Sequence, residues 1–556
     1  MKRILLIISL CLPSVLTAAP LPDNEFFRAM HDEMQRTLRE LRLKDNPAPY
    51  YVAYWVEQTH RAKVSAQLGT LVPRADTAND KTPVDVRALV SVGSDKEDAL
   101  NFVAPSRFNI GLGVGTTTVP AGYESIRKGL WLLSNDMYLG VADLYQAKKA
   151  YKQKKNIHDK LPDIIPSKPT QFVEEITPFE RPNVPRLEQA AKEISALGKT
   201  LPFIESFTAN IEVQRKDTYF LNSRGAVAQY MRPEVSLFVR ASFRQPDGEK
   251  ETVSFRRSLP NVSESSLTQM RMYAQEFLAR IENAYGAKSG ETYIGPVLLK
   301  PRAAERLLWF SVLREMQGTK PLLRGDTSDG DDPSAGKLNK KQGVRVSTDL
   351  LTIYDRPQAH DFEGISLARF FPVDDEGVLT EDLTLVENGH VKQLPLSQRP
   401  LTKNHRSNGH GFFDYDYLNV VVQSLRERLT NVFVEPKEQL TDAQMEEKLL
   451  ARCRELGLEY GYILHDGLRQ GSNALSVERI YTADGRKEAV LNLKWDGNFF
   501  TQRDLRSVLA VGGKSELVDD YWDMPVVVTP SILLSEVELV PKEHKPHRLP
   551  FISRPK

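Results

Sequence analysis

Apolar and polar positions follow two rhythms along this chain, and the change of rhythm divides it. Within residues 23–43, Phe27, Met30, Met34, Leu38 and Leu41 recur three or four apart, which places them on one helical face. Pro47 blocks continuation of that helix. Residues 50–68 switch to closely spaced aromatic and β-branched side chains, as do residues 84–92, so both segments are expected strands. Helical spacing returns over 124–155 through Ile126, Leu130, Leu133, Met137, Val141 and Tyr145. The basic end of that helix (Lys148, Lys149, Lys152, Lys154, Lys155) reads as a solvated last turn suited to the helix dipole, rather than a patch for anionic surfaces. A proline-containing linker covers 161–185, and a second helix closes at Gly198, where glycine suits a left-handed C′ position. Residues 202–258 alternate like hairpins, with turns at 222–225 and 245–248. A further helix over 263–285 ends at Gly286.

After residue 288 the character changes. One short helix, 302–317, precedes a loop, and strands dominate from there to the C-terminus. The exception is a helix over 442–456, opened by a Thr441/Gln444 capping box and closed by Gly457. The expected fold class is α+β: an α/β N-terminal domain, 19–288, followed by a mostly antiparallel, β-rich C-terminal domain, 289–556. No repeat of 20–50 residues is evident.

The 556 residues carry 74 Lys+Arg against 73 Asp+Glu, a balance too even for a dedicated nucleic-acid binder. With 41% hydrophobic residues and scattered charge, intrinsic disorder and a polytopic membrane protein are also excluded. Lys2 and Arg3, the apolar run 4–16 and the small residues Thr17, Ala18 and Ala19 form a Sec-type signal peptide, 1–18, cleaved after Ala18. The run is too short to span a bilayer comfortably, and the bulky Leu10 before Cys11 does not suit a lipoprotein signal. A periplasmic or secreted bacterial protein with no transmembrane anchor after cleavage is expected. Cleavage leaves Cys453 as the sole cysteine, so no intramolecular disulfide forms. Cys453 shares an apolar helical face with Met445, Leu449 and Leu456 and reads as a core thiol.

Candidate chemistry is sparse. There is no HExxH, no GxSxG and no CxxC. The glycines of 111–118 (GLGVGTTT) lack a Walker lysine and read as a loop rather than a phosphate cradle. The acidic stretch 326–332 lacks the ligand register of an EF-hand and reads as solvated loop. His405 and His410, with Asp414 and Asp416 nearby, form the one grouping of residues able to hold zinc or move protons, against the plainer reading of a polar loop.

The order of several motifs resembles the TldD/PmbA family, the so-called modulators of gyrase, which include metallopeptidases that process modified peptides. The matching stretches are GPVLLKPRAAERLLWFSVLREMQG (295–318), GKLNKKQGVRVS (336–347), LLTIYDRP (350–357), FPVDDEGVLTEDLTLVENGHVKQL (371–394), TNVFVEP (430–436) and PSILLSEVEL (530–539). In the first half, GLWLLSNDMYLGVADLYQAKKA and YFLNSRG (219–225) resemble the longer, exported branch. Catalytic members of the family carry His-Glu-x-x-x-His on the helix after the GPV strand, and a cysteine ligand near the C-terminus. Histidines five apart are about 140° out of phase on a regular helix, so such a site needs a local distortion. Here the corresponding positions are Trp309, Phe310 and Arg314. Trp and Phe offer no donor lone pair and Arg stays protonated, so none serves as a metal ligand. Residues 302–317 contain no histidine, and no cysteine lies around 511–513.

The resemblance therefore implies a PmbA-like pseudoenzyme with no metal or other cofactor of its own. It implies a homo- or hetero-oligomer with a metal-bearing TldD-like homologue, and a peptide substrate whose backbone pairs with a strand edge. The alternatives are an active hydrolase with a relocated, zinc-using site at His405 and His410, or a stand-alone peptide-binding envelope protein.

Overall fold

The computed structural model describes residues 21–43, 46–73, 83–103, 114–318, 323–324, 336–339, 341–413, 425–466, 477–495, 502–519 and 525–542. The chain enters through α1 (Glu25–Glu40), whose first turn is capped by the Asn24 side chain accepting from the Phe26 N–H at 2.7 Å. Seven strands of the first sheet follow: β1 (Pro49–Gln67), β2 (Val84–Val92), β3 (Val114–Val119), β4 (Gln171–Val173), β5 (Ile204–Asn222), β6 (Val227–Arg244) and β7 (Lys250–Leu259). They lie in the order β3-β2-β1-β5-β6-β4, with β7 beside the far half of β6 and the two-residue strand Thr70–Leu71 beside β1. All pairings are antiparallel except β4 with β6.

The helices α2 (Tyr123–Lys155), α3 (Val184–Ala196) and α4 (Glu264–Ala284) join α1 on one face of this sheet. The register shows why. Tyr54 pairs with Leu221 and Ala66 with Ala209, so these residues share a face. Tyr54 and Leu221 pack in the core beneath α1 and α2, while Ala66 and Ala209 pack beneath α3 and α4. Side chains alternate along a strand, so Trp55 and Glu57 point to the opposite face. That second face meets Phe370, Val373 and Phe413 of the C-terminal half.

Among the described residues the second sheet has eleven strands. Those used below are β8 (Tyr293–Leu299), β9 (Leu351–Asp355), β10 (Leu383–Glu387), β12 (Asn431–Pro436), β13 (Tyr460–Leu464), β14 (Val477–Tyr481), β15 (Val508–Val518) and β16 (Val526–Pro541). Its central path is β10-β9-β12-β16-β8-β13-β14, with β15 also on β16. Most pairs are antiparallel, and β8–β13 and β12–β16 are parallel. A separate hairpin pairs β11 (Gly411–Phe413) with Leu425–Glu427. Helix α5 (Pro301–Ser311) packs on the main C-terminal core, α6 (Asp442–Glu455) on a smaller one, and the short α7 (Gln502–Arg506) contacts α5. The Thr441/Gln444 capping box is present and Gly457 takes a left-handed φ of 70°. Cys453 is buried with Met445 and Leu449, its thiol pushed up to about 11 by burial.

Five expectations change. Residues 114–118, expected in a glycine loop, belong to edge strand β3, because Val114, the threonines and Val119 pair with β2; residues 111–113 lie outside the described residues. The 161–185 linker contributes β4 to the sheet. Lys148 is not solvated: its Nζ donates to Asp163 Oδ2 at 2.5 Å and the Asp98 carbonyl at 2.6 Å, and only 1% of it is exposed. Gly198 is not left-handed but sits in a 3-10 turn, Leu197–Thr200, where a Cβ would lie 2.2 Å from Phe207 Cβ. Close approach, rather than φ, requires glycine there. The helix expected to reach residue 317 ends at Ser311 and continues as a 3-10 turn, Leu313–Glu315.

Candidate functional site

Between the Trp55 face of the first sheet and the C-terminal half lies a cavity of about 500 Å³, within the usual range for ligand sites. Strand alternation supplies one wall: Trp55 and Glu57 from β1, Arg87 from β2, Lys216 and Thr218 from β5, Tyr230, Arg232 and Glu234 from β6. Cross-strand pairing sets Lys216 against Arg232 and Thr218 against Tyr230. The opposing wall comes from Arg369, Phe371 and Asp375, from Phe412 and Phe413 on β11, and from Arg428 and Thr430.

Glu57 organises the sheet wall. Its carboxylate accepts from Lys216 Nζ at 3.1 Å and Arg232 Nη2 at 2.7 Å. Burial pushes this carboxyl up, but Arg232, Lys216 and Arg87 outweigh that and hold it near 2. The Arg232 guanidinium lies 4.7 Å from the Phe371 ring centre, and that of Arg87 lies 5.3 Å from Phe413, so each cation is seated on an aromatic of the facing wall. Asp375 accepts from the Phe413 N–H at 2.9 Å, yet burial leaves its carboxyl above the ordinary value despite Arg87. Arg256 pairs with Glu234 and lies 3.9 Å from Asp519 at the other end of the cavity. The surface thus offers aromatic faces and charges of both signs in one cleft.

Helix α5 borders this wall without supplying metal ligands. Trp309 and Phe310 pack, partly buried, against the C-terminal core. Arg314 lies with its guanidinium 5.2 Å from the Phe310 ring and its Nε 3.2 Å from Glu315 Oε1. A divalent metal has no donor set in these three side chains. Arg302, at the start of α5, donates to the Arg256 carbonyl at 2.6 Å and ties the helix to the cavity wall. Among the described residues, no three or more His, Cys, Asp or Glu side chains gather in a metal-holding group.

The two histidines do not meet in the cavity. His405 Nε2 lies 2.6 Å from the Ser397 carbonyl, and its Nδ1 accepts from the Leu401 N–H at 3.3 Å. His410 is wholly buried, with Nδ1 2.9 Å from the Asn408 carbonyl and Nε2 3.4 Å from Asp355 Oδ2. Asp355 is itself engaged by the Thr430 hydroxyl at 2.7 Å. Asp414 and Asp416 lie outside the described residues.

Sequence reasoning passed over the acidic run Asp374-Asp375-Glu376. Asp374 accepts from the N–H groups of Glu376 at 3.0 Å, Val378 at 2.8 Å and Gly411 at 2.9 Å. Three successive acids suggest an exposed turn; the only hint of burial is the apolar sequence on both sides.

Residues 291–540 match the model of the PmbA/TldA metallopeptidase C-terminal domain. No curated protein sequence matches the chain. Among solved structures, TldE from Thermococcus kodakarensis is similar at 15% identity and a TM-score of 0.58, covering 92% of this chain and 100% of its own. A protein from Thermotoga maritima, described as a candidate modulator of a DNA gyrase, is 16% identical with a TM-score of 0.56, covering 88% of this chain and 96% of its own. One from Bacteroides thetaiotaomicron, described in the same way, is 14% identical with a TM-score of 0.58, covering 93% and 98%. The fold is therefore shared over both halves, and residues 291–540 match a PmbA/TldA metallopeptidase C-terminal domain.

Proposed function

We propose that this protein is a non-catalytic, peptide-binding subunit of an exported peptide-processing metalloprotease system. It works in the periplasm or outside the cell beside a metal-bearing homologue. The observation that carries the reading is the chemistry of α5 and the 3-10 turn after it: the positions corresponding to the family's metal motif hold Trp309, Phe310 and Arg314, which pack on the core or on each other. The cavity supports the peptide part. Segments 19–288 and 289–556 each supply a wall, and the aromatic and mixed-charge lining suits an unfolded chain with varied side chains. Such a chain gains main-chain hydrogen bonds by pairing with a sheet edge, and β3 is an edge strand with Thr116 on the cavity lining.

The test is the metal content of the mature protein purified alone, without a metal-binding tag. Below about a tenth of an equivalent of transition metal is expected, because a zinc site normally holds its ion through purification. Near one equivalent, with peptide cleavage by the isolated protein, overturns the reading. In that event His410→Ala should abolish cleavage, and unchanged cleavage dismisses the relocated site.

A further inference from the structure

Helix α2 buries one side and leaves the other bare. Ile126, Leu130, Leu133 and Val141 are buried at helical spacing. On the outer side Lys128, Trp131, Leu132, Asn135, Asp136, Leu139 and Asp143 are all exposed, at steps of three and four that hold them in one stripe. Trp131, Leu132 and Leu139 are between 44% and 46% exposed, whereas α1 and α3 expose no large apolar side chain and α4 only Met272. Open apolar surface concentrated on a strip about 22 Å long marks a docking face rather than a water-facing helix. The Arg36 guanidinium of α1 lies 5.8 Å from the Trp131 ring centre and seats the indole at the strip's edge.

The polar members of the stripe identify what docks there. Lys128, Asp136 and Asp143 have no ion-pair partner among the described residues. Their order is self-complementary. Two α2 helices can pair antiparallel about a two-fold axis that passes between Asn135 and Asp136. Leu132 then faces Leu139 of the second copy, Trp131 faces Gly140, Lys128 faces Asp143 and Asn135 faces Asp136. Apolar meets apolar, the indole covers a glycine, and each carboxylate meets an ammonium or an amide. A parallel pair would set Lys128 against Lys128 and Asp136 against Asp136, which like-charge repulsion opposes. The steps 128-132-135-139 are those of helices crossing at about 20°.

We propose that the outer face of α2 is the contact of a symmetric homodimer of this chain. The helix lies across the first sheet from Trp55 and Glu57, so pairing leaves the cavity of each copy clear. One helix pair of this length buries less than a standard stable interface, so the dimer is reversible, with a dissociation constant on the order of 10 μM. The inference is independent of the metal-free reading of α5.

Sedimentation equilibrium of the mature chain, purified without a metal-binding tag, tests it. Twice the chain mass is expected near about 200 μM and the single-chain mass near about 0.5 μM. Leu132→Asp should leave a monomer throughout, with its fold checked by circular dichroism. Lys128→Glu sets a carboxylate against Asp143 and should weaken association at least about tenfold; adding Asp143→Lys exchanges the pair and should restore it. A monomer at every concentration, or a dimer that Leu132→Asp leaves intact, overturns the proposal. So does a double exchange that recovers nothing. Should Leu132→Asp fail to fold, the charge exchange at these solvent-facing positions decides. Chains that stay monomeric alone yet join a metal-bearing homologue overturn the homodimer while sparing the proposed function.

Discussion

Glu57 and Glu376 both face the seam between the two halves, and the protein stabilises them by opposite means. Glu57 stays ionised because Arg232 and Lys216 reach its carboxylate from neighbouring strands. Glu376 has only a backbone N–H on its carboxyl, with Arg399 and Arg224 nearby and Glu427 and Asp374 opposing them. Desolvation penalises both. Direct pairing outweighs it at the first site, whereas at the second desolvation prevails and the carboxyl is pushed up. A buried acid is thus not one kind of element: its partners decide whether it acts as a fixed rivet or as a titrating one.

The largest effect that can break this contrast is Glu57→Gln. Leaving Arg232 and Lys216 without their shared carboxylate should cost about 2 kcal/mol in urea unfolding near pH 7.5. Glu376→Gln near pH 8 should be within about 0.5 kcal/mol of wild type or more stable, since it removes a poorly compensated charge. If the two variants behave alike, the distinction fails.

A smaller loss, about 1 kcal/mol, is expected for Arg232→Met, because Lys216 still serves Glu57. The same substitution should raise the Glu57 carboxyl from about 2 towards its ordinary 4.5, readable by NMR titration.

The pH dependence of stability sharpens the contrast with the least perturbation. Glu57 has a lowered folded pKa, so its contribution is present above 4.5 and lost as pH falls towards 2. Glu376 has a raised one, so its contribution is complete below 4.5 and lost as pH rises through 7. Urea midpoints should therefore fall on both sides of a mildly acidic maximum. The acid limb should flatten in Glu57→Gln and the neutral limb in Glu376→Gln; swapped limbs would refute the assignment.

Much of the frame was legible in local chemistry. The Thr441/Gln444 box, Gly457 and the turns at 222–225 and 245–248 are short-range signals, and each appears where its residues call for it. That Trp309, Phe310 and Arg314 offer a metal no donor set was equally plain, since it depends on residue identity alone. What escaped depends on distant partners. Lys148 looked like a solvated lysine until Asp163, brought in by the linker, supplied its carboxylate. Glu57, Lys216 and Arg232 alternate as any water-facing strand would, and only the C-terminal half turns that face into a cavity wall. Asp374, Asp375 and Glu376 went unnoticed because nothing nearby in sequence reveals Gly411, Phe413 and Gln398 as their donors.

The length of β1 and β5 carries one more consequence. Each runs 19 residues, about 60 Å, unbroken beneath one helix pair and then the other. A twisted ribbon of that length behaves as an elastic beam with its load on one side. Because Glu57 and Lys216 stand on the same two strands that carry Tyr54, Leu221, Ala66 and Ala209, the cavity wall and the beds of both helix pairs are one continuous stretch of backbone.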